Sequence, residues 1–228
     1  VPRTLGFIGL GVMGEPMGRN LKRKSGCKVL AHDRDPAPLA RLQAEGVVAL
    51  DSLAALARRS DVILMSLPSG EVVRQVCEGS EGLLALARPG QVIIDLSTSP
   101  MALTRELAAA FASKGARFLD APVARTRAAA EAGTLSIMVG GEREHFKGIE
   151  PLLACMASDI THCGPVGCGQ VVKIMNNMVL FETVVAFSEA KAIGEKAGVD
   201  AGLLFDAMSK GSADSFALRN HGMKAALP

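Results

Sequence analysis

Residues 4–21, TLGFIGLGVMGEPMGRNL, restrict this chain more than any other stretch. A short apolar run at 5–8 has the look of a buried strand, and 12–21 reads as a helix. Between them Gly9, Gly11 and Gly14 stand in G-x-G-x-x-G spacing. Each glycine has its own duty: Gly9 for the tight turn out of the strand, Gly11 for close backbone approach to a pyrophosphate, Gly14 for close packing of helix on sheet. The helix start, with Val12 and Met13, adds free N–H groups and the positive end of a dipole. The spacing alone is weak, since a plain strand–turn–helix also contains glycines. The strand before it and the helix after it point to a dinucleotide site. Pro16 falls in the first turn or so of that helix, where a missing N–H costs little.

The rest of the first half alternates strands and helices. Residues 27–32 read as a second strand ended by Asp33, about 20 residues beyond the loop, where an acid takes the ribose hydroxyls of NAD. Arg34 follows and would welcome the 2′-phosphate of NADP, so the two signals pull apart; NAD is the expectation, with NADP open. Asp33 as the cap of the next helix, near Pro36, is the alternative. Asp51 is the expected cap of a helix over 52–59. The runs 61–67 and 91–95 are apolar throughout, as in a parallel sheet covered on both faces. Strands 117–120, 134–139 and 158–163 follow, with helices over 101–114 and 142–156, a passage into a loop at 121–123 and a stretch of small residues at 128–133. The pattern predicts an α/β fold with a right-handed, doubly wound Rossmann-type sheet. Ligands then sit at the carboxyl ends of the strands. That groups the glycine loop, Asp33, Leu67, Pro68 and Thr98 around the cofactor, with Ser97 and Thr98 toward the substrate. As ordinary turn residues, Ser and Thr would need no ligand.

A turn at 164–167 closes the first domain, giving 1–164 and 165–228. Residues 169–197 then read as one helix of roughly 40 Å. Its first half, QVVKIMNNMVLF, is apolar on nearly every face and is expected to be buried all round. Lys173, Asn176 and Asn177 interrupt it, Lys173 and Asn177 on one face. Such groups are paired or line a wet cleft when buried. A lysine snorkelling to the surface is the plain reading. The functional one is a positioned ammonium that stabilises and protonates the oxygen of a carbonyl under reduction. A helix over 200–210 and a less regular 211–228 follow. They are too little to cover the long helix, so a second subunit or chain beyond Pro228 is expected, the latter preferred.

Composition excludes several classes. The net charge of the 228 residues is +2, with no basic stripe, and there is no Trp or Tyr to stack bases, so no nucleic-acid partner is expected. The five cysteines form no C-x-x-C pair, and His162, Cys163 and Cys168 are too few and oddly spaced for a metal, so reduced thiols in a cytoplasmic setting are expected. No leader precedes the first strand, and no apolar run reaches about 18 residues, so no membrane span is expected.

Four stretches in order, GFIGLGVMGEPMGRNL, DLSTSP, DAPVARTRAAAEAGTLSIMVGG and GCGQVVKIMNN, resemble the β-hydroxyacid dehydrogenase family. The likeness runs the length of the chain. It implies a Rossmann domain, then an all-helical domain that is incomplete here, and a homodimer or homotetramer. It implies NAD(P) and a small anionic hydroxy acid or its semialdehyde. Lys173 would be the catalytic acid/base, supported by Asn177 and by Asn176. DLSTSP is one residue shorter than the family's substrate loop. The chief departure follows Ala-Pro-Val, where most members carry Ser-Gly-Gly and this chain has Ala124, Arg125 and Thr126 in the substrate segment. An arginine there is similar to the sulfolactaldehyde-reducing branch, and its forked guanidinium would clamp an anionic head. Arg125 as a surface residue is the alternative, and Arg127 is read as surface. A non-catalytic cofactor-binding module is the reading from another class, opposed by the Lys173–Asn177 pair.

Overall fold

The computed structural model describes residues 3–226; Val1, Pro2, Leu227 and Pro228, and with them the end of the expected irregular tail, lie outside it. The chain forms two compact units, Val1–Lys173 and Ile174–Pro228.

The first unit opens with β1 (Thr4–Ile8), α1 (Gly14–Lys24), β2 (Lys28–His32), α2 (Pro36–Gln43), β3 (Val48–Ala49) and α3 (Leu53–Arg59). Next come β4 (Val62–Met65), α4 (Gly70–Glu78), α5 (Leu83–Leu86), β5 (Val92–Asp95), α6 (Met101–Ser113) and β6 (Arg117–Asp120). It ends with β7 (Val123–Ala124), α7 (Arg127–Ala132), β8 (Leu135–Gly140), α8 (Arg143–Leu153) and β9 (Ala157–Gly164), before α9 (Cys168–Lys196) begins. The strands lie in the order β3-β2-β1-β4-β5-β6-β8-β7, with β9 paired to β8. From β3 to β6 every neighbour is parallel. β8 runs antiparallel to β6 and β7 and parallel to β9.

Pleat alternation divides the apolar strands between two cores. Leu5, Phe7, Leu64 and Ile94 join Met17 and Leu21 of α1 on one face. Ile8, Ile63 and Ile93 join Leu56 of α3 and Phe111 of α6 on the other. Helices cover both faces, which is why these strands have no polar side. The doubly wound α/β expectation holds, and the order of the first six strands reverses between β1 and β4, where such sheets open a crevice.

Local details differ from the sequence reading. α1 begins at Gly14, not at 12, because Val12 and Met13 belong to the turn. α2 is capped by Asp35, whose carboxylate accepts from the Ala37 N–H, not by Asp33. Ser52, not Asp51, caps α3. The loop after Pro122 contributes β7, and residues 127–132 coil into α7, which stops at Gly133 in the left-handed region (φ 70°). Buried Asn20 of α1 donates to the carbonyls of Ala130 (2.8 Å) and Glu131 (3.2 Å), tying α1 to α7.

The second unit holds the rest of α9, then α10 (Ala201–Ser209), capped by Asp200, and a helix of π type over Leu218–Ala226 where an irregular tail was expected. Phe187, Phe205, Ala217 and Leu218 form its core, with the two rings edge to face at 5.7 Å. Of this part of α9 only Leu180, Val184 and Phe187 pack into that cluster. Met175, Met178, Val179, Phe181, Val185 and Ile193 are exposed, in line with the expectation that residues 200–228 are too few to cover this helix: a helix so apolar needs cover on every side, and this unit covers one. α9 is also long and apolar enough, by length and composition, to cross a membrane, with a mean hydropathy of 1.4 over an 18-residue window. The two measures differ because Lys173, Asn176 and Asn177 break an uninterrupted run without lowering a window average much, and length and composition alone are weak evidence of a span.

Replacing Asn20 by Ala removes the amide that donates to the Ala130 and Glu131 carbonyls and should cost about 0.5–1.5 kcal/mol in urea unfolding, since the Ala130 carbonyl keeps the Gly133 N–H. A loss below about 0.5 kcal/mol would show that water replaces the amide.

Candidate active site

The crevice between β1 and β4 is a cleft of about 630 Å³. Its floor is Ile8, Gly9 and Gly11 to Gly14; His32, Asp33 and Arg34 stand at one side, Ser66, Leu67 and Pro68 at the other. Leu53, Val72 and Val76 supply an apolar wall. The glycines are dictated by contact. Gly9 has φ +86°, and a Cβ there would lie 2.2 Å from the Ser66 carbonyl oxygen. A Cβ on Gly14 would lie 1.9 Å from the carbonyl oxygen of Gly9. At Gly11 nothing stands within 4 Å of that position. The start of α1 has no side-chain cap, and Val12 is 65% exposed. An open glycine, an uncapped helix start and an apolar wall fit the pyrophosphate and adenosine of a dinucleotide.

Asp33 stands at the end of β2 with both carboxylate oxygens engaged, one by the Leu10 N–H and one by the Asp35 N–H at 2.8 Å. It therefore shapes the glycine loop while facing the cleft. Arg34 is exposed at the rim. Glu15, one residue into α1, is taken by Arg41 and Arg19 (2.7 and 2.8 Å). The Arg41 hydrogen bond, ahead of the Arg19 contacts, holds its carboxyl down to about 2.

A second set of polar groups is buried where β5 and β6 end. Asp95 and Asp120 are register partners and both are fully buried. Asp95 accepts from the Ser97 N–H (2.9 Å) and the Ser99 hydroxyl (2.8 Å). Asp120 accepts from the N–H groups of Gly167 (2.7 Å) and Gln170 (2.9 Å) at the start of α9. The Gln170 side chain accepts from the Ser99 N–H (3.0 Å) and donates to the Ser97 carbonyl (2.8 Å). The Ser97 hydroxyl accepts from the Leu67 N–H at 2.9 Å. Burial, ahead of the opposing hydrogen bonds and with Asp120 adding to it, pushes Asp95 up to about 6. Burial also raises Asp120, against the N–H groups that converge on it.

Of the residues expected at the cofactor, Gly9, Gly11, Val12, Met13, Gly14, Asp33, Arg34, Leu67 and Pro68 line the cleft. Thr98 does not line it; it is exposed between buried Ser97 and Ser99. Lys173 is half-buried, and burial holds its ammonium below the ordinary lysine range. Asn176 and Asn177 lie further along α9, in the second unit, and bond to each other at 3.4 Å. In the 124–126 segment Ala124 is buried and Thr126 exposed at the start of α7. The Arg125 guanidinium donates to the Thr134 carbonyl (2.6 Å) and Ser158 hydroxyl (2.9 Å) and pairs with Asp159 (2.7 Å). His162 bonds the Gly141 carbonyl and stacks on Phe146, and among the described residues no group of three His, Cys, Asp or Glu could hold a metal. Sequence reasoning missed Asp95, Asp120 and Gln170, although each stood in a quoted motif. The signal was present in Gln170, a polar residue opening an apolar helix three positions before Lys173.

Two predictions follow from this geometry. Gly11→Val should melt within about 2 °C of the parent yet lose at least about tenfold in NADH or NADPH affinity by fluorescence titration; Gly14→Ala, driven into the Gly9 carbonyl, should lose fold stability instead. Equal effects of the two on melting would contradict the assignment. The raised carboxyl of Asp95 acts on stability with a definite sign. It costs nothing below about pH 4, where folded and unfolded chains both hold the proton. As pH rises through 4 to about 6 only the unfolded chain releases it, and stability falls by on the order of 3 kcal/mol. Unfolding of Asp95→Asn against the parent should thus favour the variant progressively from pH 4 to pH 7.5, and a pH-independent difference would refute it.

Known proteins resemble this chain in sequence and fold. Residues 4–164 match the family described as the NAD binding domain of 6-phosphogluconate dehydrogenase. Residues 167–228 match that described as NAD-binding of NADP-dependent 3-hydroxyisobutyrate dehydrogenase. The chain is 39% identical to 2-(hydroxymethyl)glutarate dehydrogenase of Eubacterium barkeri over 94% of its own length and 71% of that protein's. It is 38% identical to mitochondrial 3-hydroxyisobutyrate dehydrogenase of Homo sapiens over 88% of its length, spanning 59% of that relative. The solved structure of Mycobacterium tuberculosis 3-hydroxyisobutyrate dehydrogenase with L-serine superposes with a TM-score of 0.90 at 37% identity, over 100% of this chain and 76% of that one. With an NAD(P)-binding first domain and these relatives, the chain belongs to the β-hydroxyacid dehydrogenase family of NAD(P)-dependent oxidoreductases.

Proposed function

We propose that this protein transfers a hydride between NAD(P) and a small 3-hydroxy acid or its semialdehyde, with Lys173 as general acid and base. The observation that carries the reading is Lys173 itself, half-buried on α9 with its ammonium held below the usual lysine range by desolvation. Such an amine gives up its proton more readily than an ordinary lysine. Bound NAD(P) supplies or accepts the hydride. Lys173 Nζ gives its proton to the carbonyl oxygen in reduction and takes it from the hydroxyl in oxidation. Asn177, with Asn176, is assigned to supporting this group, and Ser97, Thr98, Ala124 and Thr126 to the substrate. Among these Thr98 is the exposed side chain of a pinned loop, while the Ser97 hydroxyl is already committed to Leu67. Asp33, facing the cleft, favours NAD over NADP.

The substrate class is supported by relatives named for 3-hydroxyisobutyrate and 2-(hydroxymethyl)glutarate, and by L-serine, a 3-hydroxy acid, in the mycobacterial structure. A carboxylate is favoured over a sulfonate. To clamp a sulfonate, Arg125 would have to leave Asp159, Ser158 and the Thr134 carbonyl. The exposed apolar residues of α9 serve helix packing in a homodimer or homotetramer in this reading, not a bilayer, and five free thiols suit the cytoplasm.

The test follows NADH and NADPH oxidation with a panel of carboxylate semialdehydes beside sulfolactaldehyde. Carboxylates and NADH should be preferred. Lys173→Ala should keep cofactor affinity and lose about 10²–10⁴ in kcat. The acid limb of the parent's kcat/KM profile for oxidation should lie below ordinary lysine. Unchanged kcat in Lys173→Ala would remove Lys173 from the mechanism, and preference for the sulfonate would return Arg125 to the substrate.

A further inference from the structure

Gln170 has no exposed surface, and both ends of its amide are used. Its oxygen holds the Ser99 N–H and its nitrogen holds the Ser97 carbonyl, so one side chain grips the backbone on both sides of Thr98. Its own backbone N–H is held by Asp120 from the end of β6. Asp95 holds the same two loop residues from below, through the Ser97 N–H and the Ser99 hydroxyl. The loop is thus fixed twice, from the sheet by Asp95 and from the helix by Gln170, and only Thr98 is left exposed. Through Ser97 the same loop holds the N–H of Leu67, a wall residue of the cofactor cleft. Lys173 follows Gln170 by three residues on α9, so whatever fixes Gln170 also fixes the lysine along the helix.

We propose that Gln170 is a positioning residue that locks the Thr98 loop to the first turns of α9, setting Thr98, the cofactor wall and Lys173 in one rigid arrangement. The proposal rests on the reading of Lys173 as the proton-transfer group. Gln170 touches neither cofactor nor substrate in it; it acts by denying the loop and the helix independent motion. Small displacements suffice for a large effect, because misplacing reacting groups by about 1 Å can cost on the order of 10²-fold in rate.

A buried glutamine bonded to two backbone groups could be structural only, and the molecule contains a control for that. Gln91 is 1% exposed, and its amide donates to the carbonyls of Ala57 and Ser60 (both 2.9 Å), just before the start of β5. Gln91→Leu should destabilise the fold and leave the site as it was. Gln170→Leu should bind NADH within about threefold of the parent while kcat falls about 10–100-fold, with a smaller change in KM. A readout free of turnover completes the test. After reductive ¹³C-methylation, the Lys173 resonance, assigned by its absence from Lys173→Arg, is titrated by NMR. In Gln170→Leu it should move toward the ordinary lysine value, and in Gln91→Leu it should stay. If Gln170→Leu does not fold, Gln170→Glu, which keeps the acceptor for Ser99 and loses the amide donor to Ser97, carries the same readouts with a smaller effect. The proposal is overturned if kcat and the Lys173 titration respond no more to the change at Gln170 than to that at Gln91. If the parent reduces no semialdehyde with either nucleotide, the hydride-transfer reading fails, and the titration still decides whether Gln170 positions Lys173.

Discussion

Burying a carboxylate costs several kcal/mol unless hydrogen-bond donors converge on it. Asp120 meets that condition at the end of β6. Its oxygens take the N–H groups of Gly167 and Gln170, which a helix start leaves without intrahelical partners. The exchange is mutual, since the strand end supplies a cap that the α9 sequence lacks and the helix supplies the donors that the acid needs. Space for it depends on two glycines. A Cβ on Gly140 would lie 2.3 Å from one Asp120 oxygen, and one on Gly169 would lie 2.8 Å from the other. Asp95, level with Asp120 on the next strand, plays the same part for the loop after β5. At Asp120 a carboxylate only accepts and can serve several N–H groups at once, whereas at Asp95 desolvation outweighs the donors and pushes the carboxyl up.

The cofactor half of the site was legible because it is local. Gly9, Gly11 and Gly14 act on their own turn, and the apolar runs of β1, β4 and β5 imply cover on both faces wherever the chain goes next. Asp33 was legible by its place at the end of β2. The network around Gln170 was not, because its bonds join positions far apart: 71 residues between Ser99 and Gln170, 73 between Ser97 and Gln170, and 47 between Asp120 and Gly167. Motif spacing places such residues near their own loops and says nothing of which loop meets which. Caps failed for the opposite reason. Asp51 beside Ser52, and Asp33 near Asp35, are all good acceptors, so the choice rests on backbone angles within one or two residues.

α9 shows how far a local reading reaches. Its length and continuity were plain from the absence of proline. An apolar surface on all sides says that cover is needed but not what provides it, and the exposed methionines, valines and Phe181 of the second unit show that the described residues do not. The two regions of this helix answer to different constraints. Up to Lys173 its position is set by directed polar bonds to the sheet edge, and beyond it its contacts with the core of the second unit are nonpolar, through Leu180, Val184 and Phe187. A helix pinned at one end by polar bonds keeps the lysine in place without needing the apolar remainder to be rigid.

The substrate segment shows the same economy of backbone over side chain. Among the described residues Arg125 alone departs from glycine while holding a positive φ, at 84°. A Cβ in that region costs about 1 kcal/mol or more, and the resemblance implies glycine here in most of the family. The turn after Ala-Pro-Val thus carries an arginine on a left-handed backbone. The side chain is not idle: its guanidinium spans from the Thr134 carbonyl to Ser158 and Asp159, joining the starts of β8 and β9. An exposed ion pair of this kind contributes little by itself. Together with two further hydrogen bonds it offsets the strain that glycine would avoid, so the turn survives the substitution.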